Sequence, residues 1–363
     1  MLAKEERNRK YLADLFAGPF PGHALLYVPP AVPRDELGDY TLSDRPVSEW
    51  VPYYVKDYQD RVHSLEVLDD DSVPYVYLIT HTGLFAAAFG CPIHIYHGLD
   101  TNPAARPILQ TPQQADLLPQ ASLDTPLFER FFELARLLRQ ELGPDVPLSV
   151  PDLQSPFDIA ALIWEKLSFY TAMLDHPDSI HRLVDKTHNL LKNFLLTFKA
   201  EFPNGILAHY PSTWAPPELG CWLSEDEVGA FNQAMFEQFC LPSLADLSNT
   251  FGGLFMHCCA NAEHQYAGFK KIPNLRGLNR NFYDLSPKRA IDAFSGQTVL
   301  MMAGAAEEKL HEMLDLAHPD TRFLFVIDYF SLEEVKPLYE RLRLRMPRIS
   351  PSPGGSGLEG GKV

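Results

Sequence analysis

The sequence lacks a long apolar run and a basic cluster, and each absence excludes a class of protein. The longest nearly unbroken apolar stretch, residues 84–93, is about half of the ~20 residues that a membrane helix needs, and it contains Gly90 and Pro92. Lys and Arg number 31 against 47 Asp and Glu, a formal net charge of −16. That charge repels phosphate backbones. We therefore expect neither a membrane protein nor a nucleic-acid-binding protein.

Cysteine is also scarce, with 5 residues in 363. An odd number of cysteines scattered through a large chain suits reduced thiols rather than a disulfide framework. The first ten residues are charged and no apolar segment follows them, unlike a secretory signal. These features favour a cytoplasmic protein.

Short apolar runs alternate with segments of helical period from about residue 145 onward, the pattern of a parallel sheet wrapped by helices. The strands predicted there are 147–151, 206–210, 253–257, 275–279, 298–302 and 322–328. Upstream of residue 145, we predict buried strands at 24–28 and 75–80 and an accessory hairpin around 92–96. Downstream of it, we predict a long amphipathic helix over 180–198 and helix starts at Ser224 with Glu227 and at Ser331 with Glu334.

This pattern predicts an α/β fold, a (β/α)₈ TIM barrel with an N-terminal helical elaboration, as one domain over residues 1–349. Residues 350–363 are rich in Gly and Pro and are predicted to be a disordered tail. No G-x-G-x-x-G run follows a predicted strand, so no nucleotide cofactor is expected.

A barrel of this class carries its functional groups at the carboxyl ends of the strands. The polar residues at those predicted ends are His81, Asp152 with Gln154 and Ser155, His209 with Tyr210, His257 with Cys258 and Cys259, Asn279 with Arg280, and Asp328. We therefore expect a polar cleft in which these side chains converge.

His257 and Cys259 stand two residues apart on a predicted strand end, so their side chains point to the same side. Imidazole and thiolate are preferred zinc ligands, and a catalytic zinc site uses three protein ligands and one open position. The alternative is that His257 is a hydrogen-bonded core histidine and that the cysteines are small buried apolar residues.

Four segments in chain order carry a resemblance to a known family. They are Ala-Ala-Phe-Gly-Cys-Pro at 87–92, Leu-Ser-Val-Pro-Asp-Leu-Gln-Ser-Pro-Phe-Asp-Ile-Ala at 148–160, Asp-His-Pro-Asp-Ser-Ile-His at 175–181, and Phe-Met-His-Cys-Cys-Ala at 255–260, which follows Phe-Cys-Leu-Pro at 239–242. Together they resemble the uroporphyrinogen decarboxylase superfamily over roughly residues 20–345, and they resemble its methyltransferase-like members more than the decarboxylase itself. The resemblance implies a (β/α)₈ barrel.

The superfamily contains two chemistries. The decarboxylase relies on an arginine-rich loop near its N-terminus, but residues 24–44 contain only Arg34, so a substrate with many carboxylates would lack charge-assisted partners. In the methyltransferases a His-x-Cys pair and a later Cys bind zinc, which lowers the pKa of a substrate thiol that attacks a methyl group on a corrinoid. The resemblance places His257 and Cys259 at the first two ligand positions, and Asp328 is the candidate for the third.

The functional prediction is a zinc-assisted, methyltransferase-like enzyme that acts on a corrinoid or a methylated small molecule with a thiol acceptor, and a corrinoid protein is a candidate partner. Two alternatives stay open: a metal-independent decarboxylase of a uroporphyrinogen-like or other carboxylate, and a non-catalytic binding barrel. The predicted catalytic residues are Asp152, His209, Tyr210 and Glu263. The predicted substrate contacts are His81, Gln154, Ser155, Trp222, Asn279 and Arg280, with Trp222 in an aromatic loop.

Overall fold

The computed structural model describes residues 2–18, 20–32, 37–96, 102–282, 285–328 and 330–349, so the predicted tail at 350–363 lies outside the described residues. The strands are β1 (Ala24–Tyr27), β2 (Ile93–His94), β3 (Ala104–Ala105), β4 (Cys221–Ser224), β5 (Leu254–Cys258), β6 (Leu275–Arg280), β7 (Val299–Ala303) and β8 (Phe323–Ile327).

The α-helices of the described residues are α1 (Leu2–Ala17), α2 (Val51–Leu68), α3 (Leu84–Ala88), α4 (Pro112–Leu117), α5 (Pro126–Leu142), α6 (Pro156–Ile163), α7 (Lys166–Asp175), α8 (Pro177–Glu201), α9 (Gln233–Phe239), α10 (Leu241–Phe251), α11 (Tyr266–Phe269), α12 (Lys288–Phe294), α13 (Glu307–Asp315) and α14 (Leu332–Arg345). Short 3₁₀ helices cover Val47–Trp50, Glu227–Ala230 and Glu263–Gln265.

The main sheet is parallel and its six strands are ordered β1-β8-β7-β6-β5-β4. Every residue of β7 and β8 is buried, as expected for strands covered on both faces, whose sequences read as continuous apolar runs. Beyond β4 the sheet continues through three shorter segments, around residues 206–207, 148–149 and 76. The Trp222 N–H donates to the Leu207 carbonyl at 2.9 Å, and isolated parallel bridges join Ser149 to Ile206 and Val76 to Leu148.

The ring closes at the free edge of β1, where carboxylates replace a strand ladder. The Leu25 N–H donates to Asp71 Oδ2 at 2.9 Å, and the Tyr27 N–H donates to Asp70 Oδ2 at 2.7 Å. The Asp71 side chain is fully buried, and it accepts from Arg343 at 2.8 Å and from Arg348 at 2.6 Å. Arg343 and Arg348, which follow β8, therefore stabilise the carboxylate that closes the barrel beside β1.

Two apolar layers fill the molecule. The inner layer consists of side chains that point into the barrel, such as Leu26, Trp222 and Phe255, and α1 packs against it from the amino ends of the strands, where Phe16 meets Phe255 edge-to-face at 4.9 Å. The outer layer lies between the barrel and the surrounding helices. The predicted N-terminal helical elaboration is thus the helix that closes the floor of the barrel.

The structure confirms the predicted α/β class. The hairpin around 92–96 is β2 paired with β3, the long helix is α8, and the Ser331–Glu334 capping box begins α14. The helix start at Ser224 is wrong, because Ser224 ends β4, a strand that the sequence patterns did not reveal. None of the helices in the described ranges is both long and apolar enough to cross a bilayer.

We predict that Asp71→Asn lowers the free energy of unfolding by about 3 kcal/mol, because two arginines would face a buried site without a compensating charge. Urea unfolding followed by circular dichroism measures the change. Asp69→Asn is the matched control, since that side chain is 44% exposed and surface ion pairs contribute below about 1 kcal/mol. Equal losses in the two variants would contradict the closing role of Asp71.

Candidate metal centre

The carboxyl ends of the strands surround an acidic cavity of about 360 Å³. The described residues that line it are Thr82, Asn102, Asp152, Gln154, Asp158, Leu162, Tyr210, Ser224, Asp226, Glu227 and His257. Four of them carry carboxylates, and this lining includes neither Lys nor Arg. The cavity therefore presents a negative potential that favours a cation.

Asp226, His257 and Cys259 meet at this cavity with one ligand atom each, all within 4.8 Å of one another. They are the one group of three or more such side chains in the described part of the chain that is close enough to hold a metal ion. Asp226 is kept beside Cys259, because its Oδ1 accepts from the Cys259 N–H at 2.6 Å. An oxygen, a nitrogen and a sulfur donor fit a catalytic zinc site with three protein ligands.

The imidazole of His257 is oriented by Asn279 on the neighbouring strand. Asn279 Nδ2 donates to the Met301 carbonyl at 2.8 Å, so its Oδ1 faces His257 Nδ1 at 2.6 Å and accepts a hydrogen bond from the Nδ1–H group. The proton is thus held on Nδ1, and the lone pair of Nε2 is left for a metal. Metal-ligating histidines typically donate their other ring N–H to an acceptor of this kind.

Asp158 fixes the loop that carries Asp226. Its two carboxylate oxygens accept the backbone N–H groups of Asp226 at 2.6 Å and Glu227 at 3.1 Å, and the Glu225 N–H donates to the His257 carbonyl at 2.9 Å. Burial and the neighbouring carboxylates raise the pKa of Asp158 well above its usual value, and burial raises that of Glu225 to about 8. Asp158 and Glu225 therefore retain protons to a higher pH than free carboxylic acids do.

The thiol of Cys259 keeps its proton in this environment. Burial and the adjacent Asp226 raise its pKa to about 12. A thiol becomes a good ligand or nucleophile as the thiolate, and metal coordination removes the proton. Cys259 is therefore an inert thiol unless a cation offsets the charge of Asp226.

Asp152 and His209 form a second buried pair in the same part of the barrel. His209 Nδ1 lies 3.8 Å from Asp152 Oδ1, and Gln154 Nε2 donates to that oxygen at 2.8 Å. Burial raises the pKa of Asp152 to about 6 and lowers that of His209 to about 3. At neutral pH the imidazole is uncharged, and Asp152 is a carboxylate that gains a proton readily.

Asp328 is not part of the metal-binding group. It lines a separate cavity of about 240 Å³ with Val28, Pro29, Pro30, Ala31, Val32, Tyr53, Tyr54, Asp57, Arg61, Tyr77, Ile79, Tyr210 and Ser212. The strand order explains the separation. The neighbours of His257 in register are Ser224 on β4 and Asn279 on β6, whereas Asp328 follows β8, with β6 and β7 between them.

The structure brings together Asp152, Gln154, Tyr210 and His257 in the lining of the acidic cavity, with Cys259 in the metal-binding group and Asn279 behind His257. The ring of Tyr210 meets that of His257 edge-to-face at 5.0 Å. These predicted residues therefore share one site.

Other predicted site residues have structural surroundings. Trp222 stacks on Phe255 at 4.5 Å inside the barrel, because it lies on β4 rather than in a loop. Ser155 is the N-cap of α6. Glu263 pairs with Arg289 at 3.0 Å.

Arg280 and His81 are also enclosed by protein. The Arg280 guanidinium donates to Cys258 Sγ at 3.3 Å and lies over the Tyr266 ring. His81 is buried, and its backbone N–H donates to Asp39 at 2.7 Å. None of these five residues, His81, Ser155, Trp222, Glu263 and Arg280, lines the described wall of the acidic cavity.

Sequence reasoning missed Asp226, because β4 was not predicted. The available signal was the run Glu225-Asp226-Glu227 immediately after Ser224. Three consecutive acids beyond a buried strand end would have placed a carboxylate next to His257, once β4 was set beside β5.

Fold and site together define an α/β barrel protein with a candidate metal centre at the carboxyl ends of its strands. Residues 54–201 match the family model of uroporphyrinogen decarboxylase (URO-D). A methyltransferase from Methanosarcina mazei has a similar fold, with a TM-score of 0.63 and 14% sequence identity over 92% of this chain and 98% of that one. Residues 54–201 thus resemble the uroporphyrinogen decarboxylase family, and the structural similarity shows that the chain shares the fold of the Methanosarcina mazei protein.

Other comparisons are weak. Homocysteine methyltransferase MmuM from Escherichia coli matches in its apo form with 11% identity over 47% of this chain and 87% of that one, at a TM-score of 0.22. Its metallated form matches with 13% identity over 65% of this chain and 96% of that one, at a TM-score of 0.23. TM-scores this low say nothing about the fold or function of this chain. No curated protein sequence matches it significantly.

We predict that Asn279→Ala weakens Co²⁺ binding by about 10- to 100-fold, because His257 loses the acceptor that holds its proton on Nδ1. Asn279→Asp retains binding, since a carboxylate oxygen accepts the same hydrogen bond from His257 Nδ1–H. Absorption titration with Co²⁺ measures the affinity, and circular dichroism verifies folding. Asn204→Ala, at an exposed amide, is the control. Equal affinity of Asn279→Ala and the unmodified protein would contradict this role.

Proposed function

We propose that the chain is a zinc-assisted, methyltransferase-like enzyme in which a thiol acceptor takes a methyl group from a corrinoid or a methylated small molecule. The observation that supports this most directly is the convergence of Asp226, His257 and Cys259 within 4.8 Å. Asp226 is thus the candidate third metal ligand, the role for which the sequence suggested Asp328. Bound zinc would supply an open coordination position and lower the pKa of the acceptor thiol.

The remaining side chains of the cavity provide the proton chemistry. The pKa of Asp152, about 6, suits a group that accepts the proton of the acceptor thiol near neutral pH. Neutral His209, whose Nδ1 lies 3.8 Å from that carboxylate, adds no charge. Gln154 holds the Asp152 carboxylate in place through its 2.8 Å hydrogen bond.

The charge of the cavity supports methyl transfer over decarboxylation. A uroporphyrinogen-like substrate brings many carboxylates, which need Arg or Lys partners. The described lining instead offers Asp152, Asp158, Asp226 and Glu227. A polycarboxylate would meet the like charges of Asp152 and Asp226 and no basic side chain in this described lining, whereas those carboxylates would attract a metal ion.

Partners and location follow as further parts of the proposal. A methyl group that arrives on a corrinoid would come on a free cofactor or on a corrinoid protein that docks at the barrel mouth. The net charge of −16 disfavours nucleic acid. Five unpaired cysteines suit a reducing compartment such as the cytoplasm.

The first test is metal content. We expect protein purified without chelator to bind about one zinc per chain, and His257→Ala and Cys259→Ser to lose it. Asp226→Asn should weaken affinity by about 10- to 100-fold, while Asp328→Asn, the matched carboxylate control, retains it. Elemental analysis and competition with a chromophoric chelator give the values. Unchanged zinc in His257→Ala would overturn the site.

The second test is turnover. Methylcobalamin and homocysteine should yield cob(I)alamin and the methyl thioether, followed anaerobically by absorbance and by mass spectrometry, in zinc-loaded protein. We expect Asp152→Asn to lower kcat/KM about 10²-fold and to remove the rise of the rate near pH 6. Zinc-loaded protein that turns over neither methylcobalamin nor a methylated ammonium or sulfonium donor would leave a binding barrel instead.

A further inference from the structure

The cavity that contains Asp328 holds a carboxylate whose charge no side chain of the described residues offsets. Its Oδ1 is shielded from solvent and has no hydrogen-bond partner in the described residues. Burial raises the pKa of Asp328 to about 6, and backbone N–H groups such as that of Gly304 are the contacts that lower it. The group is mainly ionised at pH 7 and above, and a buried unpaired carboxylate is costly.

The other charges of this cavity cancel each other. Arg61 Nε lies 2.9 Å from Asp57 Oδ2, and both side chains are largely buried. The guanidinium of Arg61 also lies over the Tyr75 ring at 5.2 Å. The charges of Arg61 and Asp57 cancel in this ion pair. The carboxylate of Asp328 therefore leaves the described lining with a net charge of −1.

Apart from Ser212, the rest of the described wall is aromatic and aliphatic. Tyr53, Tyr54, Tyr77 and Tyr210 contribute rings, and the loop after β1 contributes Val28, two prolines, Ala31 and Val32. The faces of tyrosine rings attract cations that come within about 6 Å. With about 240 Å³, the cavity lies below the range of drug-sized sites, so its ligand has few heavy atoms.

We propose that this cavity binds a small organic cation that carries methyl groups on nitrogen or sulfur, with Asp328 opposite its charge and the tyrosine rings against its methyl groups. A primary ammonium would need three acceptors for its N–H groups. A methylated cation has few or no N–H groups, and its charge is spread over methyl groups that rings and aliphatic side chains can cover. The site needs no metal, so it is independent of the function proposed above.

Isothermal titration calorimetry with choline and with its neutral isostere 3,3-dimethylbutan-1-ol tests the proposal. We expect choline to bind at least about tenfold more tightly than the alcohol. Asp328→Asn should lose about tenfold of the choline affinity and keep that of the alcohol. Tyr53→Leu should lose about two- to fivefold, the effect of one cation–π contact.

Matched controls separate the site from general effects. Asp124→Asn and Tyr96→Leu change an exposed carboxylate and an exposed ring outside the cavity, and both should bind choline as the unmodified protein does. His257→Ala should lose zinc and keep choline, which separates failure of this site from failure of the metal centre. The proposal is overturned if choline does not bind at millimolar concentrations, if the alcohol binds equally well, or if folded Asp328→Asn binds choline with unchanged affinity.

Discussion

The edge of β1 that faces away from β8 has to find partners, because unpaired N–H and carbonyl groups inside a domain cost free energy. Asp70 and Asp71 supply acceptors there, and Arg343 and Arg348 offset the charge of Asp71. With that edge satisfied, the parallel strands form a ring and all their carboxyl ends meet at one rim. Residues as distant in sequence as Asp152 and His257 can line one cavity for this reason.

At that rim several carboxylates lie close together, Asp152, Asp158, Asp226 and Glu227. Asp158 uses both oxygens to hold the backbone of the loop that presents Asp226, so one acid positions another. The cost of this arrangement appears in the raised pKa values of Asp158 and Glu225. A cation bound by Asp226, His257 and Cys259 would lower the mutual repulsion, so the local folding of this loop and the binding of a metal are energetically linked.

The parts of the fold that could be predicted from sequence are those whose pattern is local. Strands β7 and β8 are continuous apolar runs, and α8 has a long apolar stripe. Strand β4 has only four residues after a segment rich in Pro and Gly, so its pattern was hidden. His257 and Cys259 were found because their spacing is local. Asp226 was not, because its place beside His257 depends on which strands are neighbours, and strand order is set by the closed ring rather than by residue spacing.

The ring of Tyr210 contributes to both the cavity of the metal-binding group and the cavity of Asp328, and it lies 5.0 Å from the His257 ring. One side chain therefore forms a wall common to two acidic spaces. Both spaces carry negative charge in their described linings, one mainly from Asp152 and Asp226, since Glu227 pairs with Lys166, and the other from Asp328. The same barrel rim could select an anion if arginines lined it. Here the negative charge favours cations in both cavities. Oxygen, nitrogen and sulfur donors surround the cavity of the metal-binding group, whereas aromatic rings surround the cavity of Asp328.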